Sequence, residues 1–250
     1  THNPLVLGSN ASGPTNTKPR RKAGFFSGAR KIMKLYVYDH CPYCNRVRFL
    51  AGMKHIALDI VHLSYADNET TVALVGKRAV PVLQLDDGRL MLESMDIARY
   101  LDALTGTPWL AQAENPAVEE WLRNVNLPLQ MLTYPLWLVS DSPEFSSQAA
   151  KREWVARKSP LIGGFEHSAE DIQRNMLAVN RLLQEAERLL ESRLGADMDI
   201  NVDELKLFTV LRNLTLAAGL QWPTALRSWL VRRSVQSGLA LYAGQAMPRR

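Results

Sequence analysis

Two cysteines three positions apart, Cys41 and Cys44, with Pro42 and Tyr43 between them, constrain this chain more than any other feature. They follow Lys34 to Tyr38, a run of aromatic and β-branched residues that reads as a strand, and they precede a segment that reads as a helix to about Lys54. Pro42 suits the first helical turn, where its missing N–H has no intrahelical partner to lose. The pair therefore shares one helix end, with Cys41 near the N-cap and Cys44 one turn in. The unpaired N–H groups and partial positive charge of that end stabilise an anion, so the outer thiol is expected to be the acidic one. An ordinary thiol, with a pKa of about 8.5, is only a few per cent thiolate at neutral pH, whereas one brought below about 6 is mostly thiolate. Cys41 is expected to attack, and Cys44, shielded by the turn, to resolve a mixed disulfide. His40, just before them, could support the thiolate when protonated, although a surface-loop histidine is the plainer expectation. A C-x-x-C pair also serves zinc and clusters. With no third cysteine in the chain, the strand–turn–helix placement favours redox chemistry, and no metal site is expected.

The surrounding pattern is that of a compact α/β domain. Leu58 to Leu63 reads as a second strand, and a polar segment with helical potential leads to Gly76. Val80 to Leu85 reads as a third strand, Asp86-Asp87-Gly88-Arg89 as a hairpin turn into Leu90–Leu92, and Ser94 to Leu104 as a helix burying Ile97, Tyr100 and Leu101. A βαβ unit joined to a hairpin and a closing helix fills residues 33–104. Residues 105–115 read as a linker, and 116–250 contain no convincing strand. Asn115 caps a helix with Pro116 at its first position, and Pro128 and Pro135 are expected to kink or break it. Ser168 with Asp171 opens what reads as the longest helix, striped by Ile172, Met176, Val179, Leu183, Ala186 and Leu190 and stopping at Gly195. Asn201 with Glu204 makes a capping-box start for a helix carrying Leu205, Phe208, Leu211 and Leu214 to Gly219, and Pro223 begins another. All six Trp lie between 109 and 229, consistent with a helical core; they and His167 are read as structural.

The net charge of +5 hints at nucleic acid only until the charges are located. Residues 1–32 hold Lys18, Arg20, Arg21, Lys22, Arg30 and Lys31 and no acidic residue, which leaves 24 basic against 25 acidic residues in 33–250. The body is balanced, so no nucleic-acid partner is expected. The basic extension lacks periodicity and begins with Thr1, while Met33 opens the first well-patterned stretch; it reads as a disordered tail or a start-site artefact. No apolar run approaches the roughly 18 residues of a membrane span, so no membrane partner is expected.

The strand, the Cys41-Pro42-Tyr43-Cys44 turn, Val80-Pro81 and Glu93-Ser94-Met95-Asp96-Ile97 together resemble the glutaredoxins. The helical second half, with Leu207-Phe208, the run Leu211 to Leu216 and Trp222-Pro223, narrows the resemblance to bacterial glutaredoxins of the glutaredoxin 2 type, built like glutathione S-transferases. It covers residues 33–250. Asn45-Arg46 departs from it, since a more apolar residue is expected after the second cysteine. The resemblance implies a thioredoxin-like N-terminal domain, a helical C-terminal domain and a glutathione-dependent thiol–disulfide oxidoreductase acting through Cys41 and Cys44. It also implies that Pro81 is cis, placing the Val80 backbone where it pairs with the cysteinyl backbone of glutathione. The N–H groups at Ser94, with Glu93 alongside, would receive the γ-glutamyl carboxylate. Lys77 and Arg78 would meet the glycine carboxylate unless they are only a solvated loop, and Pro42 and Tyr43 would wall the site. Glutathione is then a co-substrate and no cofactor is tightly bound. The partners are glutathione and disulfide-containing or glutathionylated proteins, and the chain is expected to act as a monomer in a reducing cytoplasm. The alternatives are a conjugating glutathione transferase, for which Cys44 would be superfluous, and a metal- or cluster-binding module.

Overall fold

In the computed structural model, residues 32–196 and 199–242 are described; but for Ile32, the basic extension lies outside them. Leu35 and Val37, both fully buried, alternate with Lys34 and Tyr36 along β1 (Lys34–Val37), one of the two inner strands of the sheet. β1 pairs in parallel with β2 (Asp59–His62) and antiparallel with β3 (Val82–Gln84), which pairs antiparallel with β4 (Leu90–Met91). The order is β2-β1-β3-β4. The crossover between the parallel pair is α1 (Pro42–Met53), which packs against α3 (Ser94–Ala103). A short α2 (Thr70–Val75) ends at Gly76, whose φ of +75° is a left-handed cap that glycine adopts without strain. β3 is shorter than Val80 to Leu85 because Pro81 has no N–H for a ladder. The hairpin forms as expected, with Leu85 N–H donating to Arg89 O at 2.8 Å.

The second half is helical: α4 (Pro116–Trp137), α5 (Gln148–Ile162), α6 (Ala169–Leu189), α7 (Val202–Leu214) and α8 (Thr224–Ser237). The three local caps read from sequence are present. Asn115 accepts from Ala117 N–H, Ser168 from Asp171 N–H, and Asn201 and Glu204 form a reciprocal capping box. Neither Pro128 nor Pro135 breaks α4, which at 22 residues is one longer than α6. An interior proline costs roughly 3 kcal/mol, whereas each large apolar side chain buried contributes about 1.5–3 kcal/mol. Val118, Trp121, Val125, Leu129, Leu132 and Trp137 are all buried, and Trp121 Nε1 donates to Leu182 O on α6 at 2.7 Å. Tertiary burial therefore outweighs the prolines. The α6 stripe holds from Val179 onward, but Ile172 is exposed and the helix ends at Leu189, followed by a short 3-10 turn at Glu191–Arg193. α5 shows no stripe because only Ala150, Trp154 and Ile162 are buried along it.

α7 is the axis of the molecule. Every residue from Glu204 to Leu214 is buried, and α7 packs on α1, α4 and α8. It stops at Leu214 instead of reaching Gly219, its last bonds tightening to N–H groups three residues on, from Thr215 to Ala217. Phe208 stacks on Phe49 of α1 with ring centroids 3.9 Å apart. Arg233 of α8 belongs to the core, where it bonds the wholly buried Glu204 at 3.0 Å. The segment 105–115 is anchored, too. Lys54 Nζ meets Asp102 Oδ1 at 2.6 Å and donates to Thr105 O and Thr107 O, while Asp102 accepts from Trp109 and Leu110 N–H.

Candidate active site

Cys41 is the N-cap of α1 and Pro42 its first residue. Cys41 retains 8% exposure while Cys44, one turn in, has none, so the outer sulfur is the one a substrate can reach. The two thiols differ in acidity as well. The Cys44 thiol, hydrogen-bonding to the Cys41 sulfur, lowers Cys41 against the opposing effect of burial; His40 and the N–H groups of Cys44 and Tyr43 add to this, and Cys41 settles at about 6. Burial, and then the neighbouring Cys41, push Cys44 well above the usual thiol range. The two sulfurs are thus held apart in acidity, the outer one favouring the thiolate and the inner one the thiol.

The loop ahead of Cys41 is fastened by side chains from the far half of the chain. Tyr242 OH donates to Asp39 O at 2.6 Å, Arg212 NH1 to the same oxygen at 3.1 Å, and Asn213 Nδ2 to His40 O at 2.7 Å. Asn45, the polar departure from the expected pattern, donates to Asp39 O at 2.8 Å and accepts from Arg48. Burial pushes the Asp39 carboxyl up, but Arg212 and Arg48 outweigh it and hold it at about 2. His40 is not a surface-loop residue: it is buried, and its Nδ1 lies 2.6 Å from Glu144 Oε1.

Tyr43 is exposed on the rim, with the Arg46 guanidinium 4.8 Å from its ring centre. The Val80–Pro81 bond is cis. Val80 and Arg78 line an open cavity of about 440 Å³ together with Tyr38, Tyr65, Arg157 and Lys158. Lys77 is exposed and does not line it. Arg78 is no free loop cation: it donates to Tyr65 O and to Tyr38 OH, and lies 3.7 Å from Glu153 of α5. Burial lowers Lys158, and the Cys41 charge opposes that lowering, as expected of a cation within electrostatic reach of the thiolate. Glu93 and Ser94 sit apart from this cavity, at the start of α3. Glu93 is exposed at φ +65°, an unusual conformation for a residue with a side chain, and makes no side-chain cap. The first-turn N–H groups at Ser94 are therefore left without a capping side chain.

Sequence reasoning missed Lys158, Arg157, Glu144 and the Arg212–Asn213 pair. Only the last carried a signal, a cation and an amide inside an otherwise apolar run. Among the described residues, no group of three or more His, Cys, Asp or Glu side chains gathers as metal ligands would, and no helix is long and apolar enough to cross a membrane.

Comparison with known proteins places this geometry among relatives. The family model described as "Glutaredoxin 2, C terminal domain" matches residues 117–246, and that of "Glutathione S-transferase, N-terminal domain" matches residues 35–109. Glutaredoxin 2 of Escherichia coli (strain K12) is 37% identical over 215 residues, 86% of this chain and 100% of the relative. The crystal structure of glutaredoxin 2 from Salmonella typhimurium, in complex with glutathione, is 35% identical, with a TM-score of 0.75, covering 86% of this chain and 99% of that one. A glutathione S-transferase from Methylobacillus flagellatus, 20% identical with a TM-score of 0.54 over 84% of this chain and 99% of its own, shares the fold.

Proposed function

The chain belongs to the glutaredoxin 2 family and is a glutathione-dependent thiol–disulfide oxidoreductase, and on that premise we propose that the reaction runs through the Cys41 thiolate. Cys41 Sγ attacks one sulfur of a glutathione mixed disulfide, forms a new S–S bond to glutathione and expels the substrate thiolate. A second glutathione thiolate then attacks that bond and leaves as glutathione disulfide, restoring Cys41. On a protein disulfide, Cys44 attacks the Cys41 mixed disulfide instead, giving a Cys41–Cys44 disulfide that two glutathione molecules reduce. The observation that carries this reading is the division of labour between the two sulfurs. The reachable one is acidic, and the buried one is held protonated.

The Val80 backbone, beside Pro81, is assigned to the cysteinyl backbone of glutathione. The uncapped N–H groups at Ser94, with Glu93, are assigned to its γ-glutamyl carboxylate. Lys158, which lines the cavity beside Val80, is better placed for the glycine carboxylate than Lys77 or the engaged Arg78. Pro42 and Tyr43 shape the wall. Residues 33–104 form the catalytic domain, 105–115 an anchored linker and 116–250 the supporting helical domain. The chain works as a monomer on disulfide-containing or glutathionylated proteins, in the reducing cytoplasm where glutathione is kept reduced; it holds no cofactor tightly.

Glutathione-dependent reduction of a small mixed disulfide by wild type, Cys41→Ser and Cys44→Ser tests the assignment. Cys41→Ser is expected to be inactive, and Cys44→Ser to keep mixed-disulfide activity while losing most protein-disulfide reduction. Activity retained in Cys41→Ser would overturn it.

A further inference from the structure

Two buried titratable groups beside the nucleophile are left unused by this reaction. Glu144, in the 3-10 turn Pro143–Phe145 between α4 and α5, has no exposure at all. Its Oε1 nonetheless receives two contacts from one residue: the His40 backbone N–H donates to it at 2.8 Å, and His40 Nδ1 lies 2.6 Å away. The other carboxylate oxygen, Oε2, is buried without a hydrogen-bond partner. Tyr65 N–H donates to the Glu144 carbonyl at 3.0 Å, so the turn itself is tied to the catalytic half. The His40 ring stands among Tyr38, Tyr65, Trp137, Phe145 and Trp154, with centroids between 4.8 and 5.8 Å away. Cys41 is the next residue.

We infer that Glu144 is a positioning residue for the reaction: through His40 it fixes both the main chain and the charge immediately ahead of the Cys41 sulfur. This rests on Cys41 being the nucleophile. A carboxylate buried in an aromatic shell needs hydrogen-bonding partners, and His40 supplies both of the contacts to its Oε1. Burial raises the Glu144 carboxyl, but its bonds to His40 and the charge on that ring outweigh burial and hold it below its ordinary value. Aromatic faces suit a cationic ring better than a neutral one.

The other groups facing the pair are phenols, a paired carboxylate, two cations and one further imidazole. Burial holds Tyr38 and Tyr242 above the ordinary phenol range and Tyr65 at about 12, and Tyr134 of α4 is raised as well. Asp39 stays ionised against Arg48 and Arg212. Arg78 and Lys158, from the α2–β3 loop and α5, are cations of the cavity wall. His62 of β2 is the other imidazole within reach, and burial holds it below its usual value.

The test is made in the full chain carrying Cys44→Ser, by following Cys41 thiolate absorbance against pH together with mixed-disulfide turnover. Glu144→Gln keeps the shape and an acceptor but removes the charge. It is expected to raise the thiolate midpoint by about one pH unit, leaving roughly tenfold less thiolate below it. Turnover should fall about fivefold near pH 6 and largely recover near pH 8, with Glu144→Asp restoring part of the loss. An unchanged midpoint, or a loss of turnover equal at every pH, would overturn the inference. A retained Cys41→Ser activity would instead overturn the nucleophile assignment, so the two failures are distinguishable. Should Glu144→Gln not fold, the nitrogen-15 shifts of the His40 ring in the unaltered protein decide: both nitrogens protonated near pH 7 supports the inference, and a neutral ring ends it.

Discussion

Asp39 illustrates how much a single side chain carries in this site. Its carboxylate accepts from Arg48 at 2.5 Å and from Arg212 at 3.3 Å, and its carbonyl oxygen is shared by Asn45, Arg212 and Tyr242. The carboxyl titrates at about 2 in the folded chain against an ordinary 3.8. A group whose folded pKa is depressed contributes stability that is present above its unfolded value and is lost as pH falls toward the folded one. Unfolding followed by denaturant is therefore expected to show a loss of about 2 kcal/mol between roughly pH 4 and pH 2. Asp39→Asn should start less stable at neutral pH and show a flatter acid limb; an identical acid limb would contradict the assignment. Cys41 yields a second expectation at this scale. Its alkylation by iodoacetamide should rise with pH through a midpoint near 6, well below the roughly 8.5 of a free thiol. A midpoint above about 8 would mean that the helix terminus and Cys44 do not activate it.

The element on which everything converges is α1. Its N-terminus carries the dithiol, one face lies on α3, and the rest is covered by α7 and α8. Gly52, near its end, shows how close that cover is. A Cβ there would fall 2.0 Å from the carbonyl oxygen of Ser237, a backbone atom that cannot rotate away. Gly52→Ala should destabilise the chain by at least the 1–3 kcal/mol typical of overpacking, read as a lower denaturant midpoint, while the Cys41 midpoint stays put. Unaltered stability would mean that α1 and α8 separate easily. Phe208→Ala, which removes the ring stacked on Phe49, should cost about 3–5 kcal/mol by the same measurement. At this scale the sequence was informative wherever the signal is local. The caps at Asn115, Ser168 and Asn201 each need only three or four neighbouring residues to be recognised. It was misleading where tertiary burial decides, as at Pro128 and Pro135, and silent where a helix shows no stripe, as in α5, which buries few side chains.

Across the whole molecule, the dithiol could be read from four residues, but its setting could not, because the groups that set it arrive from far along the chain. His40 meets Glu144 104 positions on, and the carbonyls of Asp39 and His40 meet Arg212 and Asn213 173 positions on. Periodicity and spacing carry no information about such pairs. Physically, this means the helical half holds the loop ahead of the dithiol in place. It supplies four of the side chains that hold the Asp39–His40 loop, Glu144, Arg212, Asn213 and Tyr242, and it covers Phe49 and Gly52 on α1. A fragment spanning residues 33–106 would keep the sheet, both cysteines and the Val80–Pro81 step. It would also expose the α1 face and leave the loop ahead of Cys41 held only by Asn45 and Arg48. Exposed apolar surface of that kind promotes association, so the fragment is expected to aggregate. Whatever remains soluble should turn over mixed disulfide far more slowly than the intact chain at the same glutathione concentration, with its Cys41 midpoint shifted toward that of an ordinary thiol. A soluble fragment with undiminished turnover would show that the loop needs none of those four side chains.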